Sequence, residues 1–282
     1  MKNLPEDRPV VSVVIPTLNS AGTLNRCIES LKKGLDCATE FLVIDGGSSD
    51  HSADVAVTLG ARFVNESLKR SSARKRGSEL AFGAYLLFVD ADQFAESGLI
   101  DECLDICISL GKKCVVIPEV DVGAGLWANC RRLDRKIADT PGLQYPRFFE
   151  KMAYDLIGGH STDLQDFMED RDLANRARSA GLPSGSSHRV LQNDIERFNP
   201  VLAGAKGTKS ARDARLFYSH VLNRPESPWT VLSPRLSRAI PAMRAERAGV
   251  LTVCAMPIYL TVVYGPRTVL ATSGWIRSRF GG

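Results

Sequence analysis

Asp90 and Asp92 stand one residue apart at the end of the apolar run Leu86-Leu87-Phe88-Val89. Two carboxylates at the carboxyl end of a buried strand can hold a divalent cation beside a diphosphate. Mg²⁺ and Mn²⁺ both favour oxygen ligands, and Asp92 is the expected ligand. Asp90 is expected to contact a ribose, the metal or a metal-bound water. The competing reading of the pair is turn capping. A second acidic cluster, Glu169-Asp170-Arg171-Asp172, lies downstream. Upstream, Asp45 closes another apolar run and precedes Gly46 and Gly47. There its carboxylate can accept a hydrogen bond from a nucleobase imide, or else cap a helix. The glycines let backbone approach a ligand closely. Pro16 and Thr17 end the first apolar run, where backbone groups can line a base pocket.

These residues need a scaffold that brings strand ends together. Val10 to Ile15, Phe41 to Ile44, Ala61 to Val64, Ala84 to Val89 and Cys114 to Ile117 read as buried strands. Helices are expected over Ala21 to Lys33, from the Gly46–Asp50 turn to about Leu59, over Ser72 to Gly83 and over Leu99 to Leu110. This alternation predicts a mostly parallel, doubly wound α/β sheet with Pro16, Asp45 and Asp90 on one edge. Beyond Gly123, a helix is expected over Leu126 to Ala138, strands over Gln144 to Phe149 and Asp155 to Ile157, and a helix over Phe167 to Ala180.

The chain has 282 residues with 44% hydrophobic and 24% charged, enough for an ordinary core. A net charge of +4 gives no argument for a nucleic-acid partner. Seven cysteines without a C-x-x-C pair argue for reduced, buried thiols rather than zinc or a disulfide framework. The start, Met1 to Asp7, has no apolar signal-peptide core, so a cytoplasmic location is expected. Residues 249–264 carry no charge and are flanked by Arg235, Arg238, Arg244 and Arg247 before and by Arg267, Arg277 and Arg279 after. The segment is shorter than the ~20 residues that span a bilayer. It is either a helix packed on the catalytic domain or a peripheral contact at the inner face of the cell membrane.

Four blocks carry a resemblance to the family 2 glycosyltransferases: Val11 to Asn19, Val43 to Asp50, Ala73 to Gly77 leading into Ala84 to Asp92, and Ile157-Gly158-Gly159 followed by Glu169 to Leu173. It covers roughly residues 10 to 181. The resemblance implies a GT-A fold, a UDP- or GDP-sugar donor, Mg²⁺ or Mn²⁺, and inversion at the anomeric carbon. It also implies donor contacts from Pro16, Thr17, Asn19, Asp45, Gly46, Arg74, Asp90, Ala91 and Asp92, with Arg74 facing the diphosphate or base. Arg76 is a second basic candidate.

Asp170, beside Glu169, is the implied general base, removing a proton from the acceptor hydroxyl as it attacks. Both carboxylates also suit a helix N-terminus, and the two roles are compatible. The absence of Q-x-x-R-W argues against a processive polysaccharide synthase. Asn193-Asp194-Ile195-Glu196 lacks the histidine that lipid-carrier enzymes of the family often show. His160 and His188 stand open between site and structural roles.

The expected organisation is a catalytic domain over 1–222, with a nucleotide-binding half at about 8–120 and an acceptor half at about 121–222. Packing or membrane-interface helices follow over 223–282. The expected activity is transfer of one sugar to a lipid-linked or cell-surface glycan acceptor. Two alternatives are a sugar-phosphate nucleotidyltransferase, which should show a glycine-rich loop where Pro16 to Asn19 stands, and an inactive nucleotide-sugar-binding scaffold.

Overall fold

A computed structural model of the chain describes residues 9–138, 145–164, 168–195, 201, 252, 255–256 and 258–259. Most of the expected C-terminal appendage, over 223–282, lies outside the described residues, as does Glu196. The chain divides into two compact units, one of residues 1–120 and 144–193, the other of residues 121–143 and 194–282.

The first unit alternates as expected. The chain runs β1 (Val11–Thr17), α1 (Ala21–Lys32), β2 (Thr39–Asp45), α2 (Ser52–Thr58), β3 (Arg62–Asn65), α3 (Arg70–Leu80), β4 (Tyr85–Phe88), β5 (Gln93–Ala95), α4 (Leu99–Ser109), β6 (Cys114–Val116) and β7 (Glu119–Val122). After α5 (Leu126–Ala138) come β8 (Pro146–Glu150), α6 (Lys151–Leu156), α7 (Glu169–Ser179), β9 (Ser184–Ser186) and β10 (Leu191–Asp194). Seven strands form a sheet in the order β3-β2-β1-β4-β8-β6-β9. The β3-β2-β1-β4 half is parallel, and β8 runs antiparallel to both β4 and β6. A small sheet orders β5-β10-β7.

Strand alternation sends side chains to opposite faces, and both are buried. Val13, Ile15, Val43 and Leu87 join Leu24, Ile28 and Ile100 on one face. Val14, Leu42, Ile44, Leu86 and Phe88 join Ala73, Tyr154 and Leu173 on the other. Helices therefore cover both sides, which is why β1, β2 and β4 read as nearly continuous apolar runs. α3 lies close on the sheet because its inner face is small. A Cβ at Gly77 would stand 2.2 Å from Val14 Cγ1. That contact fixes Arg74, one turn earlier, near the sheet edge.

One expectation is corrected. Asp155 to Ile157 is not a strand: residues Lys151–Leu156 form α6, and Ile157 follows it in a turn. Ala153, Tyr154 and Ile157 face inward while Met152 and Leu156 are exposed, a helical rather than alternating pattern. A Lys151–Asp155 pair at 3.5 Å spans one helical turn.

Among the described residues of the second unit, Asp121 is buried against Arg135 (2.9 Å) and Arg131 (3.5 Å). Tyr259 donates to Asp134 Oδ2 at 3.3 Å. Thr252, Ala255, Met256 and Tyr259 are buried, whereas Ile258 is exposed. Four of the five described residues of the uncharged segment are thus buried. No helix among the described residues is long and apolar enough to cross a membrane.

Candidate active site

The parallel register brings the expected residues to one sheet edge. Pro16 pairs with Ile44 and Thr17 with Asp45. On the other side Val14 pairs with Phe88, and Val89 N–H donates to Val14 O at 3.2 Å. Asp90 therefore leaves its strand beside Pro16. Ligands bind at this carboxyl edge in open α/β sheets.

The two loops above the edge brace each other. Asn19 N–H donates to Ser48 Oγ (2.7 Å), and Ser49 N–H donates to Asn19 Oδ1 (2.9 Å). Asn19 holds φ 50, a conformation its short polar side chain tolerates. Asp45 is 1% exposed. Its Oδ2 accepts from Gly47 N–H (3.0 Å) and Ser48 N–H (2.7 Å), and its Oδ1 accepts from the Ser48 hydroxyl. Asp45 thus organises its own turn, while the helix that follows starts from His51. Gly46 N–H donates to Thr17 O at 2.8 Å, tying the two strand ends.

The charged residues converge at Asp90. Arg74 has a fully buried side chain. Its Nη2 donates to Asp90 Oδ1 (2.6 Å), and its Nη1 to Asp170 Oδ1 (2.8 Å) and Glu169 Oε1 (3.3 Å). One guanidinium therefore joins the end of β4 to the start of α7. Arg70, one helical turn before Arg74, pairs with Glu169 at 2.6 Å. Arg76 points elsewhere, to Glu66 at 2.9 Å. Ala91 is buried and Asp92 is exposed.

The sequence reading missed three partners. Arg147, on β8, is buried, donates to Glu119 Oε1 at 2.6 Å, and lies 3.7 Å from Asp170 and 3.9 Å from Asp90. An arginine within the apolar run Tyr145-Pro146-Arg147-Phe148-Phe149 was the available signal, because a buried charge needs partners. Glu119 gave no such signal. Tyr154 is fully buried and hydrogen-bonds His160 Nδ1 at 2.8 Å. His160 in turn lies 3.6 Å from Asp170 Oδ1. His188 is not brought there; its main-chain N–H donates to Glu102 Oε1 on α4.

These contacts separate the carboxyl groups electrically. Burial pushes Asp90 up, but Arg74, Arg147 and Arg70 outweigh it and hold the group at about 2. Asp170 is likewise opposed by burial and held well below the usual carboxylate range by Arg74, Arg147 and His160. Its neighbour Glu169 is pushed up, by burial and then by the Asp170 charge. Burial lowers His160 to about 4, so its ring is neutral near pH 7. The two adjacent carboxyl groups are thus shifted in opposite directions.

Among the described residues no cluster of three or more His, Cys, Asp or Glu forms a metal cage. The donor set nevertheless fits a hard cation bound jointly with a ligand. Asp92 is an exposed carboxylate next to an ionised Asp90, and Mg²⁺ characteristically takes one or two carboxylates plus substrate phosphates. Asp90 Oδ1 is engaged by Arg74, and Asp92 is the more exposed carboxylate of the two.

The model of "Glycosyl transferase family 2" matches residues 12–168. A PGL/p-HBAD biosynthesis glycosyltransferase of Mycobacterium tuberculosis is 36% identical over 94 residues, covering 30% of this chain and 36% of the relative. The uncharacterized glycosyltransferase YibD of Escherichia coli is 36% identical over 88 residues, covering 29% of this chain and 26% of that one. The chain thus spans about a third of the length of the curated relatives it matches. A mannosyltransferase of Pyrobaculum calidifontis, solved with GDP-Man and Mn²⁺, superposes with a TM-score of 0.60 at 16% identity, over 98% of this chain and 89% of that one. S. aureus TarS 1-349 with UDP-GlcNAc gives 0.56 at 15% identity, over 90% and 81%. These neighbours share the GT-A fold. With more than half its length matched by the family model, across the strand edge, Arg74 and Asp90, the chain belongs to glycosyl transferase family 2.

Proposed function

We propose that the chain is a metal-dependent, inverting glycosyltransferase that moves one sugar from a UDP- or GDP-sugar to a glycan acceptor. The observation that carries this reading is the Arg74 bridge, which holds Asp90 and Asp170 on the same guanidinium at 2.6 and 2.8 Å. The carboxylate assigned to acceptor activation is thereby fixed beside the strand edge assigned to the donor.

In this reading Pro16, Thr17, Asn19, Asp45 and Gly46 shape the nucleoside pocket through the braced loops. Asp45 acts through its turn rather than through an open carboxylate. Asp92, with Asp90 beside it, would hold Mg²⁺ or Mn²⁺, which when bound neutralises charge on the leaving diphosphate. Arg147 Nη1 is buried without a hydrogen-bond partner among the described residues, a donor that a ligand oxygen can satisfy. Arg74 acts through Asp90 and Asp170, since its side chain is fully buried among carboxylates. Asp170 takes the acceptor proton. Neighbours solved with UDP-GlcNAc or with GDP-Man and Mn²⁺ support both the donor class and the metal.

The nucleotidyltransferase alternative lacks support at Pro16 to Asn19, where a β strand runs into a loop with a single positive-φ asparagine. The scaffold alternative is tested with the enzyme reading. UDP-, GDP- and dTDP-sugars should be screened for thermal stabilisation with and without Mn²⁺. A donor at a hundredfold excess over its Kd should stabilise the protein by roughly 2.7 kcal/mol. The shift should need Mn²⁺ and be lost in Asp92→Ala. No shift with any nucleotide would reject the donor site, whereas a shift without Mn²⁺-dependent turnover would favour the scaffold.

The acceptor is proposed to be a lipid-linked or cell-surface glycan precursor reached from the cytoplasmic face of the membrane. The uncharged 249–264 segment between arginines supports this, with Ile258 on its outward side. Deleting residues 230–282 should abolish co-sedimentation with anionic liposomes; binding by the truncated protein equal to that of the full chain would reject membrane contact.

A further inference from the structure

We propose that His160 is a positioning residue that sets which oxygen of Asp170 meets the acceptor. This rests on the reading of Asp170 as the base. The His160 ring is 2% exposed and enclosed from several elements. Phe88 of β4 meets it edge-on at 4.7 Å between centroids. Tyr154 of α6 lies at 48° between ring planes, with OH 2.8 Å from Nδ1. Asp170 of α7 faces Nε2, and the Arg74 and Arg147 guanidiniums lie within electrostatic reach.

The hydrogen-bond pattern accommodates the Nε2–H tautomer. The His160 main-chain N–H donates to Tyr154 OH at 2.8 Å, so the hydroxyl oxygen is already an acceptor. Its proton can then go to Nδ1, which must be unprotonated to receive it. In that arrangement the neutral ring carries its proton on Nε2. That is the nitrogen 3.6 Å from Asp170 Oδ1, an ionised acceptor. The distance exceeds a formed hydrogen bond, as resting catalytic contacts often do. The same Oδ1 accepts from Arg74 Nη1 at 2.8 Å. Two donors thus converge on Oδ1, while Oδ2 has its cation, Arg147, at 3.7 Å. Oδ2 keeps the capacity to accept a proton.

Gly159 is the local requirement for this arrangement. It holds φ +64, and a Cβ there would lie 2.6 Å from the Tyr154 ring. Only glycine lets the chain turn over the tyrosine so that the next residue offers both its N–H and its ring to one hydroxyl. The Gly158-Gly159 pair is thus the device that aims His160.

Two measurements test the proposal. Long-range ¹H–¹⁵N spectra of the full chain, which has four histidines, should show His160 as the neutral Nε2–H form throughout about pH 5.5 to 8.5. The signal is assigned by its loss in His160→Gln. Asp170→Asn should move the Nε2 resonance; an Nδ1–H tautomer, or a resonance indifferent to Asp170→Asn, would overturn the inference.

Kinetically, Mn²⁺-dependent release of nucleotide from UDP-glucose, UDP-N-acetylglucosamine or GDP-mannose is compared between variants. His160→Phe should lower kcat by on the order of 10- to 100-fold with UDP or GDP affinity unchanged. His160→Gln, whose amide N–H can replace Nε2–H, should recover most of it. Equal loss in both variants, or loss of nucleotide affinity in parallel with kcat, would mean a merely structural histidine and reject the proposal. The spectra need no turnover. Inactivity of the wild type with all three donors would therefore count against the transfer reading, while the tautomer separately upholds or refutes the His160–Asp170 coupling.

Discussion

Asp170→Asn is expected to lower sugar transfer by on the order of 10²- to 10⁴-fold, the range for losing a general base, while nucleotide affinity stays within about threefold of wild type. The substitution keeps shape and removes charge. Arg74 retains Asp90 at 2.6 Å and Glu169 at 3.3 Å, so the bridge to β4 survives. The effect should therefore fall on kcat. The assay is steady-state transfer alongside calorimetric UDP or GDP binding. A fall smaller than tenfold, or nucleotide binding lost to the same degree, would remove Asp170 from the base role. The pH profile adds a second check. Asp170 is held well below the usual carboxylate range and His160 at about 4, so neither changes charge between neutral and mildly acidic pH. The wild-type rate should not show a histidine-like decline near pH 6.5.

Arg74→Met should cost about 3 to 5 kcal/mol of stability, because removing one partner of a buried ionic cluster strands the others. For a domain of this size the melting temperature should drop by on the order of 10 °C. Asp90, Glu169 and Asp170 would all lose a donor. The pH dependence distinguishes this from a simple packing defect. In the wild type the Asp90 carboxyl is depressed from 3.8 to about 2. Its contribution is present above the unfolded value and is lost as pH falls through the folded one. Without Arg74 the same carboxyls should titrate higher, so acidification relieves the strain of buried charge. Lowering pH from about 7 to about 5 should narrow the stability gap between variant and wild type. A constant gap across that range, measured by denaturant unfolding, would show that the charge cluster is not the cause.

The strands that build the site were legible because both their faces are buried. Val11 to Ile15 and Leu86 to Val89 are apolar nearly throughout, and only parallel central strands demand that. β5, β9 and β10 were not, since Gln93-Phe94-Ala95, Ser184-Gly185-Ser186 and Leu191 to Asp194 are short and partly polar. Their pairing is a tertiary outcome. Asp155 to Ile157 misled because three residues cannot distinguish a period of two from one of 3.6.

At the site, Asp90, Arg74 and Asp170 were visible as charges at the ends of apolar or helical patterns. What they bind to was not. The family resemblance assigns Arg74 to the donor, but nothing local shows that its side chain is the most enclosed of the basic residues around it, while Arg76 faces Glu66. The carboxyl partners come from positions 90 and 170, and no local pattern encodes that encounter. Glu119 and Tyr154 were invisible for the same reason.

The Arg74 bridge also bears on the order in which the chain acquires its structure. Arg74 and Asp90 are 16 residues apart, whereas Arg74 and Asp170 are 96 apart. During synthesis the first contact can form while the ribosome is still producing the middle of the chain, but the second waits for α7 to emerge. Until then Arg147 and the acidic pair have not met the sheet edge either. The parallel half of the sheet is thus a partial assembly whose charges are balanced only from the distal half of the sequence. Contacts of this separation form slowly, because the intervening loop must close before they are rewarded. A fragment ending near residue 120 should consequently fold poorly as a stand-alone nucleotide-binding module, and engineered fusions need to keep residues 145–179 with it.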